Sequence, residues 1–584
     1  MKHLVSAVLL FSIGTASADI AAAGKRTQAA KEPDMCVVPP GAQPLLPAKL
    51  LPGMGETKHF FVTTTSEEAR KFFLQGLSQI HSFWFVESER SCLQAATLDP
   101  EMAMAHWCIA LSAASDYRPA FQLLRSGAAG GRSAASADAV ARTLNGAAID
   151  PQVRAKEAIE KAMTLRDKVT PRERLYIESQ AARRAKSDPK DADAAYIAGL
   201  RKLVAAYPDD LDAKSMLGLA LDNGFEPVTR TPREHTLEAI AMLEDVVSRD
   251  DTHFGAQHYL IHAYEGSRMP EKAWHACERY ASLVTNIPHA LHMPGHIYAQ
   301  SDKIPEAIAA FTAAAENELT WLKADTLYPN GHHGHNVHFL IHASNLAGKY
   351  QDSMKWTQQL MTFKETPREK AGNNQRTAWR QAYFALIKTL VRFEKWDEIL
   401  DGRTIPVYDK PEQNAWRQWA MGLAYAAKGN DEHANSSLSE LKKQIERITS
   451  ATEPISIAAV ELEATIEARS GKTKKGFDLF KRAAEREAAM LYTEPPSYPR
   501  PVTEAFGNIA LAVNDYAVAE RAFRAALEQE PGSGRAYFGL AAALQHLGKT
   551  DAARETRERA LKAWATADSN LPQLAAASSS AGQR

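Results

Sequence analysis

Residues 500–533 read RPVTEAFGNIALAVNDYAVAERAFRAALEQEPGS, and the spacing of small and apolar residues in this stretch decides the fold. Numbered from Arg500 as place 1, Gly507, Ala510, Ala519, Phe523, Ala526 and Pro531 fall at places 8, 11, 20, 24, 27 and 32. The next frame repeats the pattern, with Tyr537, Leu540, Ala541, Leu544, Ala553 and Ala560 at places 4, 7, 8, 11, 20 and 27. Small residues at 8, 20 and 27 let two antiparallel helices approach closely. Larger ones at 4, 11 and 24 fill the space that remains.

This 34-residue frame resembles the tetratricopeptide repeat (TPR). The resemblance implies an all-α fold, a TPR-like α-solenoid in which helical hairpins stack into a right-handed superhelix. The frame also fits Ala69 to Pro100, with Gly76, Ser88, Cys92 and Ala95 at places 8, 20, 24 and 27, the region around Gly422 and Ala434, and a looser copy around Ala464 and Gly476. Between these copies, apolar residues at three- and four-residue intervals predict helices over Val153–Leu165, Pro171–Lys186, Asp191–Ala206, Asp212–Asn223 and Trp379–Leu400. No stretch sustains a strand-like alternation.

The chain begins with Lys2 and His3, an apolar run from Leu4 to Ile13, and Ala16-Ser17-Ala18 before Asp19. That order is expected of a secretory signal with a small-residue cleavage site, and it predicts export, to the periplasm in a Gram-negative cell. No later run approaches the ~18 apolar residues of a membrane helix, so no transmembrane segment is expected. The expected organisation is a signal peptide at 1–18, an extended arm at 19–58, N-terminal TPR-like repeats at 59–250, histidine-rich repeats at 251–365, C-terminal repeats at 366–567 and a disordered tail at 568–584. Ser126–Ala137 reads as a surface loop. Lysine plus arginine total 69 and aspartate plus glutamate 70, so there is no basic surplus for a phosphate backbone and nucleic acid is not an expected partner. The four cysteines, Cys36, Cys92, Cys108 and Cys277, show no Cys-x-x-Cys spacing, and Cys92 and Cys277 read as packed core residues.

Twelve of the 19 histidines lie between residues 253 and 342. Non-histidine markers place the repeat frame there: Tyr264 and Ala273 set one repeat starting at Phe254, and Gly295, Tyr298, Ala307, Phe311 and Ala314 set the next at Pro288. A third starts near Gly334 after an insertion containing Trp321 and Tyr328. In that frame His289 and His335 take place 2, His258, His292 and His338 place 5, and His262, His296 and His342 place 9. Eight of nine slots are histidine, and places 2, 5, 9 and 12 lie on one stripe of the first helix of each repeat.

Neighbouring first helices pack about 8–10 Å apart, so imidazoles from adjacent rungs can share an ion. His258, His262, Glu265, His289, His292, His296, His335, His338 and His342 are therefore the candidate metal ligands. Glu265, at place 12, could instead support the ligands from behind. A histidine and carboxylate set without thiolates suits a divalent transition metal such as Cu, Zn or Fe. The protein would then be a metal carrier, or a metalloenzyme in which Glu265 or Asp222 acts as general base; no His-Glu-x-x-His signature is present. The same stripe could line a groove for an anion or a protein or peptide partner, as in a metal-free scaffold, or serve structural hydrogen bonds. His253, His275, His332 and His333 fall off the stripe and are not expected ligands.

The stretches QHYLIHAYE (257–265), LHMPGHIY (291–298) and HNVHFL (335–340) resemble the core of a family of bacterial TPR proteins that are often exported. LDPEMAMAHW (98–107), YPRP (498–501) and Ala563-Trp564 extend the resemblance to about residues 60–568, although Ser112–Tyr117 lacks the Gly-Pro-Asn turn of that family. The resemblance implies the solenoid and a histidine-lined concave groove.

Overall fold

In the computed structural model, residues 47–58, 60–115, 143–144, 147–148, 151–324, 330–449, 453–490 and 495–575 are described. The expected signal peptide, most of the expected arm and the expected Ser126–Ala137 loop lie outside them. Among the described residues the chain is a succession of helices, beginning with the pair Glu67–His81 and Phe85–Leu98 and ending with the pair Gly534–His546 and Thr550–Ala563. The only strand-type pairings there are a two-residue ladder of Thr143–Leu144 with Ala147–Ala148 and an isolated antiparallel bridge between Phe225 and Pro232. The architecture is a TPR-like α-solenoid. No described helix is long and apolar enough to cross a membrane.

The small residues at place 8 do what the frame requires. A Cβ on Gly295 would stand 2.5 Å from the Phe311 ring, and one on Gly507 2.8 Å from Phe523, so in both repeats the second helix packs against bare backbone. At Gly76 the nearest atoms are Cys92 Sγ and Cys108 Sγ, which form a disulfide across two helices. Cys92 is buried in the core as read, and the structure adds its partner, Cys108 on the helix Ala103–Ala114, with Gly76 of Glu67–His81 leaving room for both sulfurs. Cys277 is a free, buried thiol.

The degenerate segments fold close to their expected bounds, as Pro151–Leu165, Pro171–Arg184, Pro189–Ala206 and Leu211–Leu221. The fifth splits into Ala378–Arg392 and Trp396–Leu400 at Glu394, whose φ is +53°. One apolar core runs from Ala48 to Ala343 and a second from Tyr383 to Ala553.

Described segments near either terminus, around Gly53 and around Trp564, contact the histidine repeats. Gly53 O accepts hydrogen bonds from the amides of Thr285 and Asn286 at 3.0 and 3.1 Å, and Met54 and Phe60 are buried. At the other end, Trp564 Nε1 donates to Leu346 O at 2.9 Å and the Asp568 amide donates to Gly348 O at 3.1 Å. The segment from Asp568, expected to lack structure, thus begins with an ordered stretch in which Leu571 is buried. On the stripe itself His258, His262, His292, His296, His338 and His342 are buried, so it is largely interior rather than the floor of an open groove.

Candidate metal centre

Three first helices carry the stripe. Phe254–Tyr264 and Pro288–Gln300 start where the frame places them, with Pro288 supplying the fixed φ suited to a first helical position. The third, Asn330–Leu346, starts four residues before Gly334 and so brings His332 and His333 into the helix.

The structure gathers six of the eight registered histidines into two clusters. His258, His262 and His289 form one, and His292, His296 and His335 the other, each with three ligand nitrogens within 4.8 Å of one another. Each cluster takes places 5 and 9 of one repeat and place 2 of the next. In each, two histidines are buried and the place 2 histidine is half-buried, so both clusters open on the side of His289 and His335. The clusters adjoin, with the His289 and His292 rings 6.4 Å apart between centroids.

The backs of the rings are held. His258 Nδ1 donates to the His81 carbonyl at 2.6 Å. His262 Nδ1 donates to Glu265 Oε2 at 3.0 Å, and His296 Nδ1 donates to Glu265 Oε1 at 2.5 Å. A carbonyl or carboxylate oxygen can only accept, so these three imidazoles carry the proton on Nδ1 and present a lone pair on Nε2. This is the outer arrangement that fixes a metal-binding imidazole.

The facing nitrogens need either an Nε2–H on His289 and His292, making neutral hydrogen bonds, or a metal ion shared between them. His258 Nε2 stands 3.2 Å from His289 Nε2, and His296 Nε2 2.6 Å from His292 Nε2. Two lone pairs at such separations repel unless a proton or a metal ion lies with them. Ligands bound at about 2.0–2.1 Å, with angles of about 90–110°, stand about 2.9–3.4 Å apart. The first pair meets that spacing and the second needs to open by a few tenths of an ångström.

Burial, and after it repulsion from neighbouring histidines, holds His258, His289 and His292 well below the ordinary imidazole range. They are neutral at pH 7, the form a metal requires. Aromatic rings flank both clusters. Phe83, in a turn with φ +54°, lies 4.6 Å from His258 and 5.4 Å from His262, while Phe339 lies 4.5 Å from His296 and 5.0 Å from His292.

Other candidates are placed elsewhere. His338 and His342 join neither cluster. His338 meets Phe384 and Lys388 of the Ala378–Arg392 helix, which has no histidine to complete a third set, and His342 Nε2 stands 3.9 Å from Glu530 Oε1. Lys388 Nζ approaches His338 Nε2 at 3.4 Å, and burial followed by the Lys388 charge lowers both imidazoles. Glu265 stands behind the rings with an oxygen on each Nδ1, a position for orienting ligands rather than for first contact or for general base work. Asp222 caps the Leu211–Leu221 helix and accepts from the Gly224 amide at 3.0 Å, outside both clusters. Asn345, its counterpart in the third repeat, donates to Thr389 Oγ1.

Beside the clusters stand residues outside the registered stripe, among them His332, which as expected belongs to neither cluster. His332 donates from Nδ1 to Glu318 at 2.7 Å, with its ring 6.3 Å from His289 and 6.0 Å from His335. Trp84, next to Phe83 in the chain, and Trp321, near the end of the helix Ile304–Ala324, lie 4.9 Å apart between ring centroids. The HSFWF stretch (81–85) is the signal that could have found His81, Phe83 and Trp84 together.

A TPR family model matches residues 510–570. No curated protein matches the chain. Among solved structures, the human IFIT1 dimer with m7Gppp-AAAA is 11% identical with a TM-score of 0.32, over 86% of this chain and 91% of that one. Yeast Tom70 is 11% identical with a TM-score of 0.27, over 85% and 93% of the two chains. Ypp1 is 11% identical with a TM-score of 0.41, over 85% and 88%.

Proposed function

We propose that this solenoid is a metal-binding protein whose two three-histidine clusters hold divalent transition metal ions, as a carrier or as a metalloenzyme. One observation carries the reading: paired Nε2 atoms face each other at 3.2 and 2.6 Å while the opposite nitrogens of His258, His262 and His296 are committed to oxygen acceptors. Six imidazoles without a thiolate suit Zn, Cu or Fe. Three protein ligands leave a coordination position open, as in catalytic zinc sites, and the half-buried His289 and His335 mark the side on which water, a substrate or a receiving ligand would enter.

A peptide needs an open trough, and His258, His262, His292 and His296 are 0–1% exposed, which supports an ion over a peptide along this stripe. A protein partner, the general use of such solenoids, would dock on another face. Export to an oxidising compartment is part of the proposal and is supported by the Cys92–Cys108 disulfide. N-terminal sequencing of the mature protein from its native host tests it: a start at Asp19 agrees, and an intact Met1 terminus in the cytoplasm does not.

The decisive comparison is metal content in protein purified without a polyhistidine tag, wild type against His262→Ala/His296→Ala. Stoichiometric metal lost in the double variant supports the function. Sub-stoichiometric metal in both rejects it.

A further inference from the structure

We infer that the two clusters are halves of a single two-ion centre, joined by Glu265 as a shared positioning residue. The inference rests on the metal-binding reading and adds to it a stoichiometry and a coupling element. Glu265 has a fully buried side chain and sits just past the Phe254–Tyr264 helix, at its C-cap. Its Oε2 accepts from His262 in the first cluster and its Oε1 from His296 in the second. These two histidines occupy place 9 of successive repeats, and the carboxylate bridges them from behind. No equivalent exists one repeat later, where place 12 is Ala299, or two repeats later, where it is Asn345.

Three consequences follow from elementary chemistry. The carboxylate fixes the Nδ1–H tautomer of one ligand in each cluster, so both present Nε2 to an ion. Burying a carboxylate costs several kcal/mol unless positive charge stands near, and an ion on the far side of each imidazole supplies such charge through the ring. The two ions also share one anionic support, so removing it reaches both clusters at once, although Glu265 touches neither ion.

Glutamine at this position separates the two halves. Its amide oxygen still accepts from one Nδ1–H, but its NH2 group donates to the other Nδ1. That imidazole must then carry its proton on Nε2, which blocks the metal. Glu265→Gln therefore spares one cluster and damages the other, whereas Glu265→Ala weakens both. Loss of such an outer partner lowers metal affinity about 10–100-fold.

The test is Zn²⁺ titration of the metal-free full chain by calorimetry, with bound zinc counted by elemental analysis and folding checked by circular dichroism. The expected result is two ions in the wild type, one retained near wild-type affinity and one weakened about 10–100-fold in Glu265→Gln, and both weakened in Glu265→Ala. If the alanine variant does not fold, the near-isosteric glutamine variant alone decides. A wild type that binds a single ion, or a glutamine variant that binds two at wild-type affinity, overturns the shared centre while leaving metal binding intact. A wild type that binds no zinc, copper or iron removes both.

Discussion

Replacing Gly295 with alanine tests whether helix packing and the second cluster are mechanically linked. The new Cβ would stand 2.5 Å from Phe311 Cε1 and 2.6 Å from Cζ. Carbon atoms rest at about 3.5–4.0 Å, so the ring must retreat by about 1 Å. Behind it lie His292 at 4.9 Å and Phe339 at 5.0 Å between ring centroids, so the retreat presses on a ligand of the second cluster. Overpacking of this kind costs about 1–3 kcal/mol, and the better helix propensity of alanine returns about 1 kcal/mol, leaving a net loss of up to about 2 kcal/mol. Gly507→Ala is the control, since its Cβ would stand 2.8 Å from Phe523 in a repeat without histidine ligands. Urea denaturation should show similar losses in the two variants. Zinc titration should show one ion weakened about tenfold or more in Gly295→Ala, because Phe311 supports His292 as an outer partner would, and none weakened in Gly507→Ala. If Gly295→Ala binds zinc as the wild type does while losing as much stability as the control, the link from packing to site is refuted.

Three further outcomes follow from named side chains. His258→Ala should remove one ion and His338→Ala none, measured by elemental analysis, because His338 faces Lys388 rather than a cluster. Arg392→Met should destabilise the C-terminal half by about 3–5 kcal/mol, seen as faster hydrogen exchange there, since Arg392 is the buried partner of both Glu504 and Glu530. Burial lowers Lys388 to about 7, helped by Arg392 and opposed by Glu530. Its folded value lies below its unfolded one, so the folded state binds fewer protons between pH 7 and about 10.4, and stability rises with pH across that window. Lys388→Met should flatten this rise in denaturation curves measured from pH 7 to 10, and an unchanged slope would contradict the assignment.

The solenoid was legible because its constraint is local and repeated: glycine at places such as 295 and 507 is required wherever a Phe ring meets backbone. The histidine register was legible for the same reason, since places 5 and 9 follow from helical spacing alone. The ending of the ladder was not. His338 and His342 carry the register, but a cluster also needs place 2 of the following repeat, and the helix that arrives there brings Lys388 and Arg392 from some fifty residues downstream. The role of Glu265 was half legible: the sequence put it on the stripe, yet which nitrogen of His262 and His296 it meets depends on side-chain rotamers. Burial of the stripe was hidden for a different reason. Its histidines meet groups far away in the chain, such as Phe83 and the His81 carbonyl against His258 and Glu530 against His342, more than 170 residues apart.

The most direct test of the central claim is anomalous diffraction from crystals of the full chain grown with stoichiometric zinc and recorded across the zinc edge. The account predicts two peaks, one within about 2.0–2.1 Å of nitrogens from His258, His262 and His289 and one likewise placed among His292, His296 and His335. A map with no peak at either cluster, or with zinc only at surface residues, would contradict it.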